Sequence, residues 1–118
     1  MNRTLQAANN YADSLRELRR FEEAKPVLCK NIPVARRVLG DNDINTLRMR
    51  WSYAETLYKA IGATLDDFRE AVMALEDTER IARRVFGGAH PFTGGIEIEL
   101  RDARAALRAR ETPTPSNT

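Results

Sequence analysis

Apolar residues recur at helical spacing in five stretches, separated by turn-forming residues. From 5 to 18, Leu5, Ala8, Ala12 and Leu15 fall three or four apart, joined by Tyr11 and Leu18, which predicts a helix. Phe21 opens a second helix whose apolar series runs through 24, 28, 32, 35 and 38–39, and Gly40 ends it as a left-handed cap. A third begins between Asp43 and Thr46, where Asp, Asn and Thr offer N-caps, and carries Leu47, Tyr53, Ala54, Leu57 and Ile61 before Gly62 stops it. Thr64-Leu65-Asp66-Asp67 resembles a capping box with Asp in the place of Glu. It introduces the cleanest pattern in the chain, Leu65, Phe68, Val72, Leu75, Ala82 and Phe86, closed by Gly87-Gly88. Pro91 suits the first position of a fifth helix with Ile96, Leu100, Ala103 and Leu107 on one stripe. That helix is polar on its other sides, so it is expected to pack on one neighbour only, as the end of an array would. Residues 112–118 hold two prolines and no aliphatic side chain, and are expected to be disordered. No stretch reads as a strand.

The stretches are related to one another. Ala35-Arg36-Arg37-Val38-Leu39-Gly40, followed by Thr46, returns 47 residues later as Ala82-Arg83-Arg84-Val85-Phe86-Gly87, followed by Thr93. Phe21, Glu23, Ala24 and Leu28 return at the same spacing as Phe68, Glu70, Ala71 and Leu75. Further upstream the spacing is 42, with Thr4, Leu5, Tyr11, Ala12 and Leu15 returning as Thr46, Leu47, Tyr53, Ala54 and Leu57. One unit of about 42 residues is thus repeated, with an insertion near 61–65. Such a period signals stacked helix pairs. The predicted fold is an all-α solenoid of five helices, about two and a half repeat units, spanning 1–111 with units near 4–45, 46–92 and a terminal helix over 93–111.

Composition narrows the function classes. The charged fraction is 31% and the net charge only +2, with seven Lys/Arg against three Glu in the most basic segment, 16–37. No lysine-rich arm or aromatic–basic interleaving suggests nucleic acid, so this segment reads as a solvated helix face. No run of about 18 apolar residues offers a membrane span. The N-terminus leads into an amphipathic stretch rather than an apolar signal core, which makes the cytoplasm the expected location. Cys29 is the one cysteine and excludes an internal disulfide.

The small-residue positions carry a family resemblance. Tyr11-Ala12, Leu15, Phe21, Ala24 and Leu28, then Tyr53-Ala54, Leu57, Phe68, Ala71 and Leu75, resemble the tetratricopeptide repeat, in which small side chains let two antiparallel helices, A and B, cross closely. Glu22-Glu23-Ala24-Lys25-Pro26, Leu39-Gly40 and His90-Pro91-Phe92-Thr93 resemble the kinesin light chain subtype. The chain departs from the pattern in three places. Pro33 falls inside the second helix and is expected to kink or split it at a cost of roughly 3 kcal/mol. Asn31 replaces an alanine at a helix crossing, which is expected to be loose. Arg101 and Arg104 stand where alanine and leucine would seat a following helix.

The resemblance implies a protein-interaction module without catalysis or cofactor, its A helices lining a groove for a peptide. By the repeat's phase, Gln6, Asn9, Asn10, Asp13 and Arg16 face or border that groove, with Arg48, Trp51, Ser52, Glu55, Tyr58 and Lys59 as their second-unit counterparts. Asn10 matches the family's peptide-holding asparagine, and Ser52 takes that place in the second unit. Trp51 either anchors a ligand there with Tyr58 or fills the space between the first two A helices. An alternative function is structural: a fragment or end of a larger solenoid, or a self-associating module, because the edge around Leu5, Ala8 and Tyr11 is expected to be exposed unless another repeat or a second copy covers it.

Other chemistry finds little support. His90 reads as a turn or cap residue, and Cys29 as a packing residue among apolar positions. Asp41-x-Asp43-x-Asn45 resembles the opening of a calcium loop, but Thr46 replaces its glycine and Ser52 its bidentate glutamate, so helix capping explains these residues better. Gly87-Gly88 and Gly94-Gly95 lack the strand and lysine of a phosphate loop.

Overall fold

A computed structural model describes residues 3–112 as five α-helices, with no strand among the described residues: α1 (Arg3–Glu17), α2 (Phe21–Val38), α3 (Ile44–Tyr58), α4 (Leu65–Phe86) and α5 (Pro91–Glu111). The disorder expected over 112–118 falls, but for Thr112, outside the described residues.

Each helix packs on the next along the chain, and α3 additionally touches both α1 and α5. Contact only between consecutive helices and between the first helices of successive pairs is the signature of a stacked array. The radius of gyration, 15.0 Å, exceeds the roughly 13 Å of a compact domain of this length. In place of one central core there are two clusters. Leu5, Ala12, Leu28, Ala35 and Met49 bind α1 and α2 to α3; Leu47, Ala54, Leu57, Leu75, Ile96 and Leu100, with their neighbours, bind α3 to α4 and α5. Tyr53 packs against both.

Burial follows the repeat. The pairs Ala12/Ala54, Ala24/Ala71 and Ala35/Ala82 are all fully buried, and Leu28 and Leu75 are equally inaccessible. Only a methyl side chain fits where two backbones approach this closely, and burying each leucine stabilises the fold by about 1.5–3 kcal/mol. The aromatic pair Phe21/Phe68 is buried too, and each ring is covered by an arginine, Arg19 at 5.4 Å and Arg110 at 4.9 Å. The symmetry breaks at Tyr11, which is 56% exposed, while its counterpart Tyr53 is half-buried under α2. Leu5, expected on the same open edge, is buried by α2 and α3 instead.

The helix ends follow the capping residues. Asp43 caps α3, its carboxylate accepting from the Asn45 amide at 2.8 Å. Thr64 and Asp67 form the expected reciprocal box at the start of α4, and this hydrogen bonding from Thr64 holds the Asp67 carboxyl below its ordinary pKa. His90 is the cap of α5: its Nδ1 accepts from the Phe92 amide at 3.0 Å, with Pro91 at the first helical position. Gly40 follows α2 with φ +93°, where a Cβ would be strained, and its amide reaches the carbonyl of Arg36 at 3.1 Å.

Several expectations are corrected. Helix α2 runs unbroken through Pro26 and Pro33. A proline removes only its own donor, and the packing of Leu28 and Ala35 on either side holds the helix together. Asn31 is half-buried and turns its Nδ2 back onto the Val27 carbonyl at 2.7 Å, so its polar end is satisfied within its own helix. Ile61 lies beyond the end of α3 and is 95% exposed, because the inserted turn at Gly62 (φ +84°) carries it away from the stripe. Leu18 likewise falls past the end of α1 and is exposed. Cys29 is exposed rather than packed. Met49, outside the predicted stripe, is fully buried. Finally, α5 does not rest on α4 alone, since Trp51 and Tyr58 of α3 reach it.

Candidate interaction surface

The A helices α1, α3 and α5 lie in sequence, and their shared face is a chain of charged and polar side chains. Glu55 on α3 accepts from Arg16 of α1 at 3.3 Å and from Lys59 at 3.0 Å. Lys59 also reaches Glu99 of α5 at 3.4 Å. Glu99 in turn accepts from the Tyr58 hydroxyl and from the Trp51 indole at 3.2 Å. Both carboxylates are largely shielded, Glu55 at 8% and Glu99 at 11% side-chain exposure, whereas their cationic partners are about a third exposed. Buried carboxylates require such donors. The electrostatics follow from this. Burial and the hydrogen bond to Glu99 push the Tyr58 phenol far above its ordinary value. Burial opposes the charge on Lys59, but Glu55 and then Glu99 outweigh it and leave its pKa raised.

The structure does not bring all the predicted groove residues together. Asp13, Arg16, Arg48, Trp51, Ser52 and Glu55 come together around a hollow of about 270 Å³ between α1 and α3. Tyr58 and Lys59 lie outside it, engaged with Glu99. Gln6 and Asn10 are exposed, and Asn9 is buried. Trp51 packs, but between α3 and α5 and not between the first two A helices: its ring is edge-on to Phe92 at 5.6 Å and pressed against Gly95. The smallness of Gly95 decides the matter, because a Cβ there would lie 2.7 Å from Trp51 Cη2.

Two polar features that line the hollow, and a third on the same face of α1, are not satisfied internally. Arg48 is exposed and has no ion pair or hydrogen bond among the described residues. Asn9 Oδ1 and Arg16 Nε are buried atoms without a hydrogen-bond partner. Asn9, Asp13 and Arg16 follow one another at three- and four-residue spacing, so they share one face of α1.

Glu99 was absent from the predicted set, although a signal for it existed. Carrying the 47-residue offset into the third unit maps Ser52 onto Glu99, and Arg48 onto Gly95. The calcium-loop carboxylates have structural duties: Asp43 caps α3 and Asp41 binds Arg36 at 2.6 Å. Among the described residues no group of His, Cys, Asp and Glu could hold a metal ion, and no helix is long and apolar enough to cross a membrane.

The opposite side of the array carries a cavity of about 790 Å³ between α2 and α4. Cys29, Ile32 and Pro33 form one wall, Glu70, Met73 and Ala74 the other, and Tyr53 and Arg50 of α3 the floor. The Tyr53 hydroxyl donates to Glu70 at 3.5 Å, and burial, followed by Cys29 and Glu70, pushes its pKa up to about 12. Nothing in the hydrophobic pattern indicated this cleft.

Comparison with known proteins gives no match among curated proteins or solved structures. The family model of the tetratricopeptide repeat matches residues 4–45, the segment that holds α1 and α2. The match over the first unit and the repetition of its packing in α3 and α4 together support a tetratricopeptide repeat protein.

Proposed function

We propose that this chain is a protein-interaction module of the kinesin light chain-like, 42-residue subtype, which binds an acidic peptide segment on the α1/α3 side of its A-helix face. Tetratricopeptide repeats are generally protein–protein interaction modules. The observation that carries the site is the hollow bordered by the free Arg48 guanidinium and by the buried, unpartnered Arg16 Nε. A buried donor without a partner is uncommon in folded proteins, and Arg16 Nε shares its hollow with a free cation. A carboxylate or peptide carbonyl seated between the two would satisfy both. Trp51 and Tyr58 have internal partners in Glu99, so recognition is mainly polar, and Trp51 serves as a wall of the site.

Titrating Trp51 fluorescence with acidic peptides tests this. A saturable change that Arg48→Ala weakens at least about tenfold supports the reading, since a charge-assisted hydrogen bond contributes about 1.5–3 kcal/mol. No change with any peptide, or equal binding by Arg48→Ala, sinks it.

One observation favours a second reading. Tyr11 is exposed exactly where its counterpart Tyr53 is covered by a preceding B helix, which suits contact with a further repeat. Sedimentation at rising concentration tests self-association, and a strict monomer argues against that form of it.

A further inference from the structure

Helices α2 and α4 run side by side over α3, yet their backbones never come into contact, and the space between them is an open trough. The large cavity at Cys29, Pro33 and Met73 continues into a second, polar one, because Arg50 and Asp77 line both. Arg50 is hydrogen-bonded to Asp77, which lowers the Asp77 pKa and neutralises the middle of the trough. The two ends differ in sign. At the N-terminal end of α4, Asp66, Asp67 and Glu70 outnumber Arg69. At the other end, Arg36, Arg80 and Arg84 outnumber Asp41. Between them the surface is apolar, with Met73 68% exposed.

We propose that this trough docks an amphipathic helix of a partner protein, its apolar face on Ile32, Pro33, Tyr53 and Met73, its basic end at Asp66–Glu70 and its acidic end at Arg80–Arg84. The occupant follows from three features. First, both walls are helices, which leave no row of unpaired backbone groups to hold an extended strand, whereas a helix satisfies its own backbone and needs only side-chain contact. Second, the trough is concave and open along its length, so a protruding helix fills it better than the same concave face of a second copy. Third, opposite charges at the two ends select a segment whose own charges are segregated, since juxtaposed like charges are costly. A free helix is most stable with acidic residues in its first turn and basic ones in its last, so the partner lies antiparallel to α4. This surface is separate from the A-helix hollow, and neither proposal needs the other.

Two synthetic helical peptides of equal composition serve as probes, each with leucines along one face. One has glutamates in its first turn and lysines in its last; the other has the same residues interleaved. Cys29 lies in the wall of the trough and is the sole cysteine, so its reaction rate with a thiol reagent reports occupancy. The segregated peptide is expected to bind about tenfold more tightly than the interleaved one, and to slow Cys29 labelling at least about fivefold, as charge complementarity and occlusion require. The double variant Asp66→Lys/Glu70→Lys, checked for unchanged helicity, should lose that preference. Equal binding of the two peptides, no binding of either, or undiminished Cys29 reactivity at saturation overturns the proposal. Cys29 protection that rises with protein concentration alone, together with dimer sedimentation, overturns it in favour of a second copy.

Discussion

The indole N–H of Trp51 donates to Glu99 Oε1 at 3.2 Å, and the hydroxyl of Tyr58 donates to the other oxygen of the same carboxylate. One acidic side chain of α5 thereby fastens two aromatic residues of α3. It also receives Lys59, which bridges it to Glu55 and so to Arg16 of α1. The face of the A helices is therefore a continuous network whose stiffness depends on Glu99.

Replacing Glu99 with Ala leaves the Trp51 and Tyr58 donors unpaired in a mostly buried setting. A loss of about 2 kcal/mol in chemical denaturation is expected, with a red shift of the tryptophan emission as water reaches the indole. Unchanged emission would show that Trp51 is held by Phe92 and Gly95 without Glu99.

The two adjacent glycines of α5 should respond in opposite directions. Gly95→Ala drives a methyl group into the Trp51 ring and is expected to destabilise by about 1–3 kcal/mol. Gly94 has open space around its Cβ position, so Gly94→Ala should stabilise the helix by about 0.5–1 kcal/mol. Thermal melts of both variants decide the point, and equal effects would refute the placement of Trp51.

Pro33 leaves the Cys29 carbonyl without its helical donor, and Pro33 is exposed. Pro33→Ala restores that donor without changing the course of α2, so a gain of about 1–3 kcal/mol in denaturant unfolding is expected. A lower midpoint would mean that the ring's apolar contact in the trough matters more than the missing bond.

The tyrosines give a pH signature. Burial, then Cys29 and Glu70, push the Tyr53 phenol up to about 12, and burial and Glu99 raise Tyr58 further. Because the folded state raises both values, it favours the neutral phenols. Their contribution to stability is complete below about pH 10, the unfolded value, and is lost as pH rises through the folded values. At about pH 11, with helicity intact, Tyr53→Phe or Tyr58→Phe should each remove less than about a tenth of one tyrosine's ionised absorbance. A loss near one full tyrosine would contradict the burial and hydrogen bonding described.

Much of the fold was legible in the chain. The alanines at 12, 24, 54 and 71 announced close helix crossings, and each is fully buried, as are the repeat-related Ala35 and Ala82. The capping residues at 43, 64 and 90 marked helix starts that the structure keeps. These features are local or periodic, and both kinds of signal survive in one dimension. The candidate site was legible only in part. Repeat phase placed Asp13, Arg16, Arg48 and Ser52 on one face, but it could not say that Trp51 and Tyr58 turn to α5 instead of solvent.

The sequence by itself determined the helix pairs, their caps and the order in which small residues let them stack, because spacing and side-chain volume suffice for those. The tertiary structure alone decided which polar groups find partners across helices and where two B helices stay apart. Ile61 and Cys29 show why: each sits at an apolar position by count, yet a turn of inserted backbone exposes one and the gap between α2 and α4 exposes the other. Exposure depends on what lies opposite a side chain in space, and that neighbour is supplied by a different helix.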